Sequence, residues 1–115
     1  MSKPLVVLTT TGSEQQALSI AEELIQNEYT ASVNIIPGLR TIYRFNGKIF
    51  DDDETLMIIK TMSDSFTDVS ECINRLHTYE IPEIMAIEAD KWTGKFFNWL
   101  QSNIHMTKAK QETKN

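Results

Sequence analysis

Apolar and β-branched residues crowd PLVVLTTT at positions 4–11, which predicts a short buried strand. The period then changes. In GSEQQALSIAEELIQ, Ala17, Ile20, Ala21, Leu24 and Ile25 recur at helical spacing, and Ser13 with Gln16 three residues on has the form of a capping box. Alternation returns at Ala31, Val33 and Ile35 within TASVNIIPGLRTIYRF, a second strand in which Pro37-Gly38 predicts a bulge or kink. FNGK contains Asn46-Gly47, the dipeptide best suited to a type I′ turn because both central positions need positive φ. KIFDDDETLMIIKTM is then the return strand. Phe66, Val69, Cys72, Ile73 and Leu76 mark a second helix in SFTDVSECINRL, EIMAIEA a last strand, and KWTGKFFNWLQSNI a closing helix whose apolar face would hold Phe96, Phe97, Leu100 and Ile104.

The order β-α-β-β-α-β with an extra C-terminal helix predicts an α+β, ferredoxin-like sandwich with helices packed on one face of an antiparallel sheet. One part of it is too long. A turn at Asn46-Gly47 pairs residues by an index sum of about 93, so Phe45 faces Lys48, Tyr43 faces Phe50 and Arg40 faces Asp53, an opposite-charge pair. A strand from Ala31 to Phe45 would span about 50 Å. A domain of this length has a radius of gyration of about 13 Å. The hairpin tip should therefore overhang the sheet and leave Ile42, Tyr43, Phe45, Ile49 and Phe50 wet unless another copy covers them. A homo-oligomer is expected, with Tyr43, Phe45 and Phe50 at its interface; the competing reading folds the arm back at Pro37-Gly38.

Composition narrows the partners. The 115 residues, 41% hydrophobic and 23% charged, suit one soluble domain over 1–105 with a frayed tail at 106–115. A net charge of −5 and scattered basic residues argue against nucleic acid. Apolar runs of about five residues are far short of the roughly 20 that span a bilayer, so no membrane partner is expected. A single cysteine, Cys72, and no signal-peptide pattern point to the cytoplasm.

Four stretches carry candidate chemistry. LHTYEIPE, residues 76–83, holds His77, Tyr79, Glu80 and Glu83; a neutral imidazole could take copper or zinc, with Glu83 as acidic partner, but a helix-end cap explains His77 equally. TTTGSE, residues 9–14, could hold an anion at a helix start, although Ser13 is accounted for as a cap and no Walker pattern is present. DDDE, residues 51–54, puts Asp51 and Asp53 on one face and Asp52 and Glu54 on the other, either a hard-cation site or a solvated edge. Trp92, Phe96, Phe97 and Trp99 read as core or interface.

VVLTTTGSE, ASVNIIPGLRTIYRFNGKI, ETLMIIKT, LHTYEIPEI and FFNWL, in this order and spacing, resemble the CutA1 family of divalent-cation tolerance proteins over about residues 4–104. The resemblance implies a ferredoxin-like fold, an interlocked homotrimer built through the long hairpin, and binding of divalent metal, copper above all, without a well-established enzymatic activity. It also implies a Cys at the place of Thr9 and a second His at the place of Leu76 in the metal-binding form, both absent here. The leading expectation is a non-enzymatic, trimeric protein of divalent-metal tolerance, with His77 and Glu83 as candidate metal contacts and no firmly implied cofactor. The alternatives are a trimeric small-molecule sensor or signalling scaffold with an effector in the clefts between subunits, and an enzyme using His77 as general base.

Overall fold

A computed structural model describes residues 2–105. The frayed tail expected at 106–115 lies outside them. Along the chain run β1 (Pro4–Thr11), α1 (Glu14–Gln26), β2 (Ser32–Phe45), β3 (Lys48–Met62), a short 3-10 turn (Ser63–Ser65), α2 (Phe66–Leu76), β4 (Met85–Glu88) and α3 (Gly94–Ser102). The strands form one antiparallel sheet in the order β2-β3-β1-β4. No described helix is long and apolar enough to cross a membrane.

Local chemistry sets the boundaries. Ser13 caps α1 by accepting the Gln16 N–H at 3.1 Å. The reciprocal half of the capping box is not made: the Gln16 side chain reaches Leu76 O and the Thr78 hydroxyl instead, tying the segment after α2 to the start of α1. The other end of α1 closes with Tyr29 N–H to Leu24 O and Glu28 N–H to Ile25 O, a Schellman pattern with Glu28 at φ 59° where glycine is usual.

Register and alternation sort side chains onto two faces. Leu5, Val7, Met57 and Ile59 pack with Ala17, Ile20 and Leu24 of α1 and with Val69, Cys72 and Ile73 of α2; this is the core. Cys72 is a buried free thiol, as its helical position predicts. The residues between them face the other way. Leu8 pairs with Met85, Val6 with Ile87, and Ile36 with Leu56, an apolar surface on which Ile36, Met85 and Ile87 remain exposed. On the closing helix only Leu100 of the expected apolar face is fully buried; Phe96 stays exposed.

The hairpin continues past the sheet. β1 pairs with β3 only from Thr55 to Met62, so residues 39–45 and 48–54 bond to each other alone. The register runs Phe45↔Lys48, Tyr43↔Phe50, Arg40↔Asp53, as the index sum requires, and Asn46 and Gly47 at φ 52° and 76° form the turn. Between Ile36 and Leu39 the register shifts by a bulge, where Gly38 takes φ 80°. The arm does not fold back there. It gives the molecule extents of 51 × 27 × 24 Å and a radius of gyration of 15.2 Å. Ile42 and Ile49 are 65% and 67% exposed.

Candidate functional site

Three of the four stretches singled out in the sequence, TTTGSE, DDDE and LHTYEIPE, meet where β1 and α2 end and the arm begins. β1 and β4 run antiparallel with Leu8 opposite Met85, which brings the TTTGSE end of β1 beside the segment that leads into β4. Pro82 keeps that segment from continuing as helix, and His77 ends α2 in extended conformation at φ −71°, ψ 143°.

His77 is held by backbone at both ring nitrogens. Nε2 lies 2.7 Å from Thr10 O, and Nδ1 lies 3.0 Å from the Tyr79 N–H. A carbonyl can only accept and an amide can only donate, so Nε2 carries the proton and Nδ1 offers its lone pair to Tyr79. The ring is thus a clamp that fixes Tyr79, whose own ring lies 4.6 Å away between centroids. Tyr79 sits on Gly12, where an added Cβ would stand 3.3 Å from the phenol oxygen; this close approach accounts for the glycine in TTTGSE. The hydroxyls of that stretch are used locally. Thr11 donates to Ser13 O, Ser13 caps α1, and Thr9 Oγ1 is buried with no partner among the described residues.

The acidic run is divided rather than pooled. Asp51 takes a two-pronged ion pair from Arg40, Nε to Oδ1 at 2.9 Å and a terminal nitrogen to Oδ2 at 2.6 Å. This corrects the expected Arg40–Asp53 pair: those residues are opposite in register, but Arg40 reaches along its own face to the diagonal neighbour, where its fork meets the carboxylate squarely. The pairing holds the Asp51 carboxyl below its ordinary range and raises the Arg40 guanidinium. On the other face Tyr43 stacks on Phe50, centroids 5.3 Å apart, and donates its hydroxyl to Asp52 at 2.6 Å, which pushes the phenol pKa up. Glu54, 6% exposed, accepts the Tyr79 hydroxyl at 2.6 Å. Burial first, and then this bond to Glu54, drive the Tyr79 pKa strongly upward.

These residues border a pocket of about 370 Å³ between the arm and residues 79–83. Tyr43, Phe45 and Tyr79 supply rings, and Glu54, Glu80 and Glu83 supply carboxylates. Thr10, Thr41 and Ile81 complete it. Glu83 therefore belongs to the pocket wall; His77 stands behind it as the support of Tyr79. Of the lining residues, Thr41 and Ile81 were not marked by the sequence as site residues, and Glu54 was marked only within the DDDE run, as a hard-cation candidate or a solvated edge. The strand period holds the signal for Glu54, because it shares a face with Leu56 and Ile58 and so enters the sheet while Asp52 remains outside.

The donors of one chain do not fit a copper or zinc site. Among the described residues no group of three or more His, Cys, Asp or Glu converges. The Nδ1 lone pair of His77 is already used, and Thr9 offers a buried hydroxyl where a thiolate would be needed.

Comparison with known proteins gives one answer. The model of the family described as "CutA1 divalent ion tolerance protein" matches residues 5–103. The "Divalent-cation tolerance protein CutA" of Thermus thermophilus is 39% identical over 98 residues, 85% of this chain and 95% of that protein. The chloroplastic CutA of Arabidopsis thaliana is 31% identical over 86% of this chain, which spans only 54% of that longer relative. Among solved structures, the Thermus CutA1 superposes with a TM-score of 0.86 at 37% identity, covering 89% of this chain and 99% of that one. The Oryza sativa CutA1 does so with 0.88 at 28% identity, covering 91% and 96%. The fold of this chain is thus shared with solved CutA1 structures, and the chain belongs to the CutA1 family of divalent ion tolerance proteins.

Proposed function

We propose that this chain is a non-enzymatic protein of divalent-metal tolerance that works as a homotrimer, located in the cytoplasm with its one cysteine reduced and buried. The observation that carries the reading is the arm. Ile42 and Ile49 are two-thirds exposed at its tip, and the face of the sheet opposite α1 and α2 leaves Ile36, Met85 and Ile87 exposed. An apolar surface of this extent on a small acidic chain calls for a second copy. Tyr43, Phe45 and Phe50 would meet the sister chain. Copper or another divalent cation would contact Glu83, and His77 once its bond to Tyr79 N–H opens, only with ligands added by a neighbouring subunit. An enzyme using His77 as base is disfavoured, since both ring nitrogens face backbone groups.

Native mass spectrometry with and without copper(II) tests both parts. The expected spectrum is a trimer with metal adducts that weaken in Glu83→Gln and His77→Ala. A monomer, or identical adducts in both variants, contradicts the reading. A second reading, an effector-binding scaffold, is favoured by the pocket between the arm and residues 79–83.

A further inference from the structure

Glu54 is a carboxylate only 6% exposed, with no cation against it among the described residues. Its hydrogen bond comes from a neutral phenol, Tyr79, and the ion pairs among the described residues lie elsewhere, at Arg40–Asp51, Arg75–Glu23 and His105–Glu28. A buried charge is costly unless paired. Glu54 opens onto the 370 Å³ pocket, and no described Lys, Arg or His lines it. Two further carboxylates, Glu80 and Glu83, stand at its border. The remaining wall is largely ring and hydrocarbon.

We propose that this pocket binds a small organic ammonium ion, with the ammonium against Glu54 and the apolar body between the rings of Tyr43, Phe45 and Tyr79. The proposal rests on the effector-binding reading and names its ligand class. Each alternative occupant fails on chemistry. An anion would meet three carboxylates. A neutral apolar molecule would leave Glu54 without a cation. A bare divalent ion needs several oxygen donors in one shell, and no such group of described side chains converges here. An alkylammonium satisfies both wall types at once: its N–H groups donate to carboxylate, and its charge is attracted to ring faces. About 370 Å³ lies toward the small end of ligand pockets, which suits a molecule of one ring and a short chain. The Tyr79 hydroxyl, held in place by the His77 clamp below it, fixes the Glu54 carboxylate in position before any ligand arrives.

The test is calorimetric titration of the full chain, at neutral pH and low salt, with 2-phenylethylamine and with 2-phenylethanol, which has the same body without the charge. The amine is expected to bind saturably and the alcohol at least tenfold more weakly. Glu54→Gln keeps the shape and the acceptor for Tyr79 but removes the charge, so it should weaken the amine at least tenfold and leave the alcohol unchanged. Equal affinity for the two compounds, no saturable amine binding, or undiminished amine binding in Glu54→Gln overturns the proposal. Should that variant fail to fold, Ile81→Trp fills the pocket from an exposed position; amine binding that survives it overturns the proposal equally. So does an assembly structure in which a Lys or Arg of a sister chain already sits on Glu54. A trimer that ignores the amine refutes this inference alone, and a monomer that binds it refutes the assembly alone.

Discussion

The root of the β2-β3 hairpin and its tip are made of the same two strands, yet they meet different surroundings. At the root, Met57 and Ile59 lie under α1 and α2 and are fully buried. At the tip, Ile42 and Ile49 have the same branched side chain as Ile59 and are mostly in water. Strand pairing alone therefore does not bury a side chain; a second layer does. The root finds that layer within the chain, and the tip finds none there. Polar groups follow the same division. The tip carries the Arg40–Asp51 and Tyr43–Asp52 pairs, which keep a lone arm soluble, whereas at the root the Tyr79–Glu54 bond is formed in partial burial.

The sharpest way to break the comparison is to cut both isoleucines. Ile59→Ala removes packed methyl groups and should cost about 2–5 kcal/mol, with a denaturation midpoint lowered at every protein concentration. Ile49→Asp should change the isolated subunit by no more than about 0.5 kcal/mol. In an assembly it should lower the midpoint strongly at high protein concentration, by a margin that shrinks on dilution as the wild type itself dissociates. Denaturant melts over a hundredfold range of concentration separate the two.

Tyr79→Phe has a smaller effect, at the boundary between the two regions. It leaves Glu54 buried without its donor, at a cost of about 1–3 kcal/mol. The pH dependence has a definite sign. The Tyr79 pKa is raised on folding, so its contribution is complete below the ordinary phenol value near 10 and is lost as pH climbs through the higher folded value. Alkaline melts should therefore fall more steeply in the wild type than in Tyr79→Phe. Parallel curves would remove the Glu54 bond from the stability of the fold.

Thr9→Val is the least of the three and has the opposite sign. Its hydroxyl is buried without a partner among the described residues, so an apolar replacement of the same shape should be neutral or stabilising by up to about 1 kcal/mol. A loss above that would mean the hydroxyl has a partner in the assembled protein.

The elements were legible because they rest on local rules. Period two and period 3.6 placed the strands and helices, Asn46-Gly47 fixed the turn and with it the register, and Pro37-Gly38 marked the bulge. The site was legible only in pieces. Glu83 and Tyr79 could be singled out, but the role of His77 depends on Thr10 O, 67 residues away, and that of Tyr79 on Glu54, 25 residues away. No pattern in a single chain reports such meetings. The Arg40 pairing failed for a different reason: register gives the residue opposite, while a long side chain chooses among neighbours on its face. Phe96 is exposed on the closing helix: helical spacing marks an apolar stripe without saying what covers it.

The central claim is that the arm tip is covered by a sister chain. Sedimentation equilibrium of the wild type at low micromolar concentration tests it most directly. The account predicts a stable species of three times 13.2 kDa that Ile49→Asp dissociates into folded single chains. A well-folded wild-type species of 13.2 kDa would contradict it.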